Sequence, residues 1–139
     1  MVVTESQAMG DYSVYLSGKM RGEPEFGFPN FDRARDIIVK QKGWTVISPA
    51  DMDRAIGFSE KSPEGYDFDF AGALRRDFSV LLKDVNGIVM IRQNWQRSHG
   101  ARSELLISQD IDLDLWQIDL KTEEISPLVL RVATHLEKA

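Results

Sequence analysis

The chain of 139 residues contains no cysteine and only two histidines. The absence of cysteine excludes disulfide bonds and thiolate chemistry, and no group of residues has the composition of a metal site. No apolar run approaches the length of a membrane-spanning helix, and the opening residues lack the basic and apolar segments of a secretory signal. We therefore expect a soluble cytoplasmic protein without a metal site or cofactor and without membrane attachment.

Positive charge is also scarce. The chain has 17 lysines and arginines but 22 acidic residues, which gives a formal net charge of −5. An acidic protein repels a polyanion, so polymeric nucleic acid is a poor partner, whereas a mononucleotide held by a few local donors is compatible with this charge. The composition, 42% apolar and 28% charged, is that of a globular domain. We expect residues 1–139 to form one domain that needs no covalent cross-link, with a frayed segment at residues 1–10.

Strand and helix patterns alternate along the chain. Short β-rich runs bounded by turn residues predict strands, and apolar residues at helical spacing predict helices. Asn30 is the expected cap of the first helix, and Ser126 with Pro127 the expected start of the last. The alternation indicates a single-domain α/β fold of the Rossmann-like, flavodoxin-like class, a parallel sheet flanked by helices. The predicted strands are 12–17, 44–47, 85–91 and 113–118, and the predicted helices are 31–42, 69–83, 100–109 and 127–136.

Residues 50–71 lose this periodicity. A loop this long inside a compact domain is usually functional or disordered, and its aromatic residues argue against disorder, so we interpret it as a lid or an oligomer contact. Its aspartates are explained by a solvated loop face. Apolar residues in excess of what the flanking elements would bury also indicate a homodimer or higher homo-oligomer. The aspartates are Asp51, Asp53, Asp67 and Asp69, and the apolar residues are Phe68, Phe70, Leu81, Trp95, Leu128, Val132 and Leu136.

The stretch from Asp84 to Leu106 combines a buried strand, a polar loop and the start of a helix. Ligands of open α/β sheets bind where such a loop leaves the strand, and Glu104 would project there from the first turn of the helix. Two further side chains would lie close to Glu104 there: Tyr15, near the end of the first strand, and Asp77, on the helix before the buried strand. Two carboxylates and a phenol suit cleavage of a glycosidic bond. The helix dipole and a solvated helix face are the alternative explanations of Glu104 and Asp77.

Two turns offer hydroxyl and backbone N–H groups to an anion. Ser17 and Gly18 end the first strand, and Ser98, His99 and Gly100 precede a helix. No Walker or dinucleotide-binding pattern is present, and serine–glycine pairs are also ordinary turn formers. His99 has the alternative role of a polar loop residue. Candidate charge partners for the same anion are Arg21, Arg97 and Arg102.

Taken together, three motifs resemble the nucleoside 2-deoxyribosyltransferase superfamily, most closely its 2′-deoxynucleoside 5′-monophosphate N-glycosidases and related small phage and bacterial proteins. The motifs are VYLSGKMRG, RDFSVLLKDVNGIVMI and SHGARSE, and the similarity spans residues 13–115. The resemblance implies that Glu104 is the nucleophile, that Asp77 protonates or orients the base, and that Tyr15 positions Glu104 or the sugar. It further implies a nucleotide site formed with Gly18 and Arg21.

The same resemblance implies that Ser98 and Gly100 hold the 5′-phosphate of a nucleoside monophosphate and that the protein is a homo-oligomer. Attack by Glu104 requires an ionised carboxylate near neutral pH, as an unperturbed glutamate provides. Hydrolysis is the leading expectation, and transfer of deoxyribose between bases is the first alternative. Nucleotide binding without turnover and an interaction module with a polar surface loop are the others.

Overall fold

The computed structural model of the protein describes residues 12–57 and 70–130. One five-stranded sheet has the order β2–β1–β3–β4–β5. The first four strands pair in parallel, and β5 is antiparallel to β4. The expected α/β, Rossmann-like fold is confirmed. The strands are β1 (Ser13–Ser17), β2 (Thr45–Ile47), β3 (Gly87–Ile91), β4 (Asp114–Asp119) and β5 (Glu124–Pro127), and the helices are α1 (Phe28–Lys42), α2 (Pro49–Ala55), α3 (Phe70–Lys83) and α4 (His99–Asp110).

Each face of the sheet carries its own apolar core. Successive side chains of a strand point to opposite faces, so Val14 and Leu16 pack with α1 on one side, whereas Tyr15 packs with residues of α3 and α4 on the other. The central strand β3 is buried along its whole length, as a continuous apolar run predicts. The alternation in β1 therefore directs the Tyr15 side chain toward the face covered by α3 and α4.

The first helix begins three residues earlier than predicted. Gly27 occupies the cap position in the left-handed conformation, with φ of 76°, so Asn30 lies inside α1 and is not its cap. A Cβ atom at position 27 would lie 2.7 Å from the backbone oxygen of Lys19. Glycine is required here because it combines positive φ with this close approach of two backbones.

The predicted loop at residues 50–71 is wrong for its first part, because α2 spans Pro49–Ala55. A proline at the first helical position is favourable, but seven residues give too little periodicity to recognise a helix. Asp53 is 1% exposed, which contradicts a solvated face for this residue. Asp67, Phe68 and Asp69 lie outside the described residues, so a lid or contact formed by that part of the chain stays a prediction.

The predicted last helix is wrong where the structure describes it. Ser126 and Pro127 belong to β5, which folds back onto β4 through a turn in which Glu123 has a positive φ of 62°. Pro127 ends a strand at the edge of the sheet, where its missing N–H group is tolerated. Val132 and Leu136 lie outside the described residues.

The exposure of apolar side chains differs from the sequence-based expectation. Leu81 is buried and is not available as an oligomer contact, whereas its neighbour Leu82 is 58% exposed and does not join the apolar side of α3. Trp95 and Leu128 pack against the core on the α3–α4 side of the sheet. Within residues 12–57 and 70–130, no helix is long and apolar enough to cross a membrane.

Candidate functional site

A cavity of about 410 Å³ lies where the chain leaves β1 and enters α4. Its wall is formed by β1 and the loop after it, by α2 and α3, and by the first turns of α4. A volume of this size accommodates a small-molecule ligand. Of the site residues and charge partners predicted from the sequence, all except Ser17 and Arg102 line the cavity: Tyr15, Gly18, Arg21, Asp77, Arg97, Ser98, His99, Gly100 and Glu104.

Glu104 is held by two hydroxyl groups of β1. Tyr15 Oη donates to Glu104 Oε2 at 2.9 Å, and Ser17 Oγ donates to Glu104 Oε1 at 2.7 Å. Residues two apart on a strand share a face, so both hydroxyls meet the helix that covers that face. The Ser17 side chain is 1% exposed, and its hydroxyl therefore serves Glu104 instead of a phosphate in the cavity.

The position of Glu104 in its helix differs from the prediction. Because α4 begins at His99 with Ser98 as its cap, Glu104 belongs to the second helical turn and not to the first. The helix dipole acts mainly on the first turn, so it does not explain a glutamate here. Glu104 is 5% exposed, and its carboxyl group is directed to the sheet.

Asp77 on α3 lines the cavity next to Tyr15 and Glu104, and, in addition to burial, its negative charge raises the pKa of both groups. Asp77 is 7% exposed, which contradicts a solvated position on an amphipathic helix. Two ionised carboxyl groups that lie close together repel each other, and a proton on one of them relieves this repulsion. The structure therefore brings together the three predicted catalytic residues as two carboxyl groups beside a phenol on the wall of one cavity.

Burial changes the acidity of all three groups. It raises the pKa of Glu104 to about 8, with the negative charge of Asp77 as the next cause and with the hydroxyls of Ser17 and Tyr15 opposing the rise. Burial also raises the pKa of Asp77, against the opposing effect of Arg76. Burial and then Glu104 raise the pKa of Tyr15 well above its ordinary value, so the phenol stays protonated. Glu104 is thus not the unperturbed glutamate assumed from the sequence.

Two further cavity residues, Asp53 and Arg76, were not predicted as site residues. Arg76 Nη2 and Nε donate to Asp77 Oδ1 at 2.9 and 3.1 Å, and Arg76 Nη1 donates to Asp53 Oδ1 at 2.9 Å. Burial raises the pKa of Asp53, and Arg76 opposes that rise. An arginine directly before the candidate aspartate was the available sequence signal for Arg76.

Another part of the cavity wall is positively charged and carries the predicted anion-binding residues. Lys19, Arg21 and Arg97 line it together with His99, next to the N-terminus of α4, where free N–H groups and the helix dipole favour an anion. Ser98 caps α4, with Oγ accepting from the Ala101 N–H group at 3.1 Å. Arg102 does not line the cavity, because its guanidinium contacts His99 Nδ1 at 2.7 Å on the exposed surface.

Asn94 joins the loops that follow β1 and β3. Its Oδ1 accepts from the Lys19 N–H group at 2.9 Å, and its Nδ2 donates to Glu23 Oε1 at 3.1 Å. The two loops approach so closely that a Cβ atom on Gly18 would lie 2.9 Å from Ile91 Cδ1. This explains the glycine at position 18 by packing. Sequence reasoning missed Asn94 because its two partners are remote in the chain.

Among the described residues, no group of three or more histidine, aspartate or glutamate side chains has the arrangement of a metal site. The cavity carboxyl groups instead contact an arginine and hydroxyl groups. Asp77 and Asp53 share Arg76, and Glu104 accepts from Tyr15 and Ser17.

Comparison with known proteins gives a family. A family model described as a domain of unknown function (DUF4406) matches residues 12–117, and the chain therefore belongs to that family. Neither the curated proteins nor the solved structures include a significant match. The family description assigns no activity, so the function is argued from the site.

The raised pKa of Glu104 predicts a pH dependence of stability. A glutamate that ionises near 4.5 when unfolded and near 8 when folded contributes its full stabilisation below pH ~4.5 and loses it as the pH rises toward ~8, because the unfolded chain ionises first. We expect the free energy of unfolding to fall over this range by on the order of a few kcal/mol. Urea titrations at stepped pH measure it.

The variant Glu104→Gln has no ionisable group at this position. Most of the decrease in the free energy of unfolding with rising pH should therefore disappear in this variant. Glu124→Gln, which changes an exposed glutamate of β5, is the matched control and should keep the slope of the parent. Equal slopes for the parent and Glu104→Gln would mean that the buried carboxyl is ionised in the folded protein over the whole range.

Proposed function

We propose that this member of the DUF4406 family hydrolyses the N-glycosidic bond of a 2′-deoxynucleoside 5′-monophosphate, with Glu104 as the nucleophile. The observation that supports the proposal is the position of Tyr15, Asp77 and Glu104 together on the wall of a cavity, where Tyr15 donates a hydrogen bond to Glu104. Glycoside cleavage uses two carboxyl groups, one to attack and one to protonate the leaving group. The resemblance of the sequence motifs to nucleoside 2-deoxyribosyltransferases supports the choice of substrate.

In the reactive form, the proton shared by the two carboxyl groups lies on Asp77 and Glu104 is a carboxylate. A Glu104 oxygen attacks C1′ of the sugar as the bond between C1′ and the base nitrogen breaks. The electron pair of that bond moves to the base, which takes the proton of Asp77. The hydroxyls of Tyr15 and Ser17 donate to the Glu104 carboxylate and fix the direction from which it attacks.

Water completes the reaction. Asp77, now a carboxylate, accepts a proton from a water molecule as the water oxygen attacks C1′, and Glu104 leaves as a carboxylate. The products are the free base and 2-deoxyribose 5-phosphate, and the pair again holds one proton. If a second base replaces water, the same steps transfer deoxyribose between bases, which is the alternative activity of this site.

The charge of the cavity supports a phosphorylated substrate. Lys19, Arg21 and Arg97 line the cavity beside the Ser98–Gly100 segment, and a helix N-terminus flanked by cations suits a phosphate. The protein carries a net charge of −5, which opposes the binding of a long polyanion. A single small anion is therefore a better ligand than a polyanion.

A nucleotide-binding protein without turnover is the second candidate. The observation that favours it is the pKa of Glu104, raised to about 8, because a protonated glutamate is not a nucleophile at neutral pH. The presence of Asp77 beside Glu104 on the cavity wall counts against it, since the proton can pass to that residue. Release of free base from a nucleoside monophosphate, followed chromatographically, distinguishes the two candidates.

Replacement of the nucleophile tests the proposed reaction directly. Glu104→Gln keeps the shape of the side chain and removes its charge, so we expect base release to be lost while affinity for the monophosphate changes little. Glu124→Gln is again the control and should react like the parent. Base release by Glu104→Gln within a few fold of the parent would rule out Glu104 as the nucleophile.

The phosphate contact predicts a selective loss of affinity. Ser98→Ala should lower the affinity for a 2′-deoxynucleoside monophosphate far more than the affinity for the corresponding nucleoside, because the lost hydroxyl would contact only the phosphate. The variant also removes the cap of α4, so its folding is checked by thermal unfolding. Ser103→Ala, an exposed position on the same helix, is the control. Equal losses for both ligands would place the phosphate elsewhere in the cavity.

We also propose that the protein is a homodimer or a higher homo-oligomer, in keeping with the resemblance. The supporting observation is a pair of exposed leucines, Leu82 on α3 and Leu106 on α4, at 58% and 60% exposure. The two helices that carry these leucines cover the same face of the sheet, and the helices contact each other. A contiguous exposed apolar patch marks an interface, and we infer that these two leucines belong to one.

Light scattering at micromolar protein concentration tests the oligomer. The parent should have at least twice the mass of one chain, and Leu106→Arg should lower it, because a buried unpaired charge opposes association. Val39→Arg on α1, which covers the other face of the sheet, changes a residue that is 49% exposed and should leave the mass unchanged. A monomeric parent would refute the oligomer.

A further inference from the structure

We propose that Arg76, fixed between Asp53 and Asp77, decides which of the two carboxyl groups, Asp77 or Glu104, carries their shared proton. Arg76 is in this view a positioning residue that acts through Asp77. The catalytic consequence rests on the proposed function, whereas the position of the proton can be measured without turnover.

The guanidinium of Arg76 is held from two sides. Two of its nitrogens donate to a single oxygen, Asp77 Oδ1, at 2.9 and 3.1 Å, and a third donates to Asp53 Oδ1 at 2.9 Å. Asp53 is 1% exposed and belongs to α2, a different element from the α3 helix that carries Arg76. An arginine bound at both ends of its planar group has little freedom to leave Asp77.

The two carboxyl groups differ in their partners, and this difference places the proton. Asp77 contacts a cation, which favours its ionised form. Glu104 accepts from the neutral hydroxyls of Tyr15 and Ser17 and is 5% exposed, so its ionised form is less favoured. The proton of the pair therefore lies on Glu104 in the free protein. Its transfer to Asp77 creates the nucleophile and the acid together and needs no other proton donor.

Charged and titratable groups reach the pair from every element that packs around it. Tyr15 comes from β1, Asp53 from α2, Arg76 from α3 itself, and Glu104 from α4. Within the part of the chain that the structure describes, Arg76 is the cation that bonds directly to Asp77. The remaining cationic or titratable residues of the cavity wall are Lys19, Arg21, Arg97 and His99.

Four variants separate charge from geometry. Arg76→Gln removes the charge, and Arg76→Lys keeps the charge but loses the planar fork of donors. Asp53→Asn keeps Arg76 and removes the anion on its other side. Arg75→Gln is the matched control, because Arg75 is the preceding residue on the same helix, is exposed and does not line the cavity.

The readout is the titration of the Asp77 and Glu104 carboxyl carbons by NMR in the folded full-length chain, with circular dichroism as the folding check at each pH. Arg76→Gln should raise the apparent pKa of the first ionisation of the Asp77–Glu104 pair by ~1 pH unit or more. Arg76→Lys should raise this pKa less. Asp53→Asn should lower it or leave it unchanged, because a negative charge is lost. Arg75→Gln should titrate like the parent.

An unchanged first ionisation in both Arg76→Gln and Arg76→Lys would overturn the proposal, as would a rise in Asp53→Asn equal to that in Arg76→Gln. If base release occurs, the acid limb of its pH profile should move with the NMR titration in Arg76→Gln, with KM little changed. If the parent releases no base from any nucleoside monophosphate, the proposed function fails, and the titration still decides the role of Arg76.

Discussion

The site depends on burial of the Glu104 carboxyl group against β1. A buried carboxylate without partners costs several kcal/mol, and two hydroxyls of the strand at alternate positions, Tyr15 and Ser17, reduce that cost by donating to its oxygens. Leu16 between them points to the opposite core. A single strand thus supplies apolar packing to one face of the sheet and hydrogen-bond donors to the other, and this alternation fixes where a reactive carboxyl group can be placed.

The sequence was sufficient to predict that Tyr15, Asp77 and Glu104 lie together at the site. Tyr15 lies on β1, Asp77 on α3 and Glu104 on the helix that follows β3, and parallel strands leave the sheet at the same edge. The run of apolar residues in β3 and the amphipathic helices carried this prediction. The prediction placed Glu104 in the wrong helical turn because α4 begins earlier than expected, with Ser98 as its cap.

Other features depended on contacts that local patterns do not encode. The burial of Asp53 follows from its pairing with Arg76 on another helix, and the shifted acidity of Glu104 follows from its tertiary surroundings. The sequence Ser126-Pro127 has the composition of a helix start, but pairing with β4 determines its conformation. The short helix α2 is stabilised by ion pairs of Arg54 with Asp32 and of Arg35 with Asp51.

The bridge that Asn94 forms between the loops after β1 and β3 has a consequence for the kinetics of ligand binding. Asn94 is 2% exposed and accepts a hydrogen bond from the backbone of Lys19, so the loop after β1 is tied to the loop after β3, which leads into α4. The entropy of ordering this loop is lost during folding and not during association. Under the proposed function, this preorganisation predicts that the phosphate associates at a rate set by diffusion and charge, without a slow rearrangement of the loop after β1.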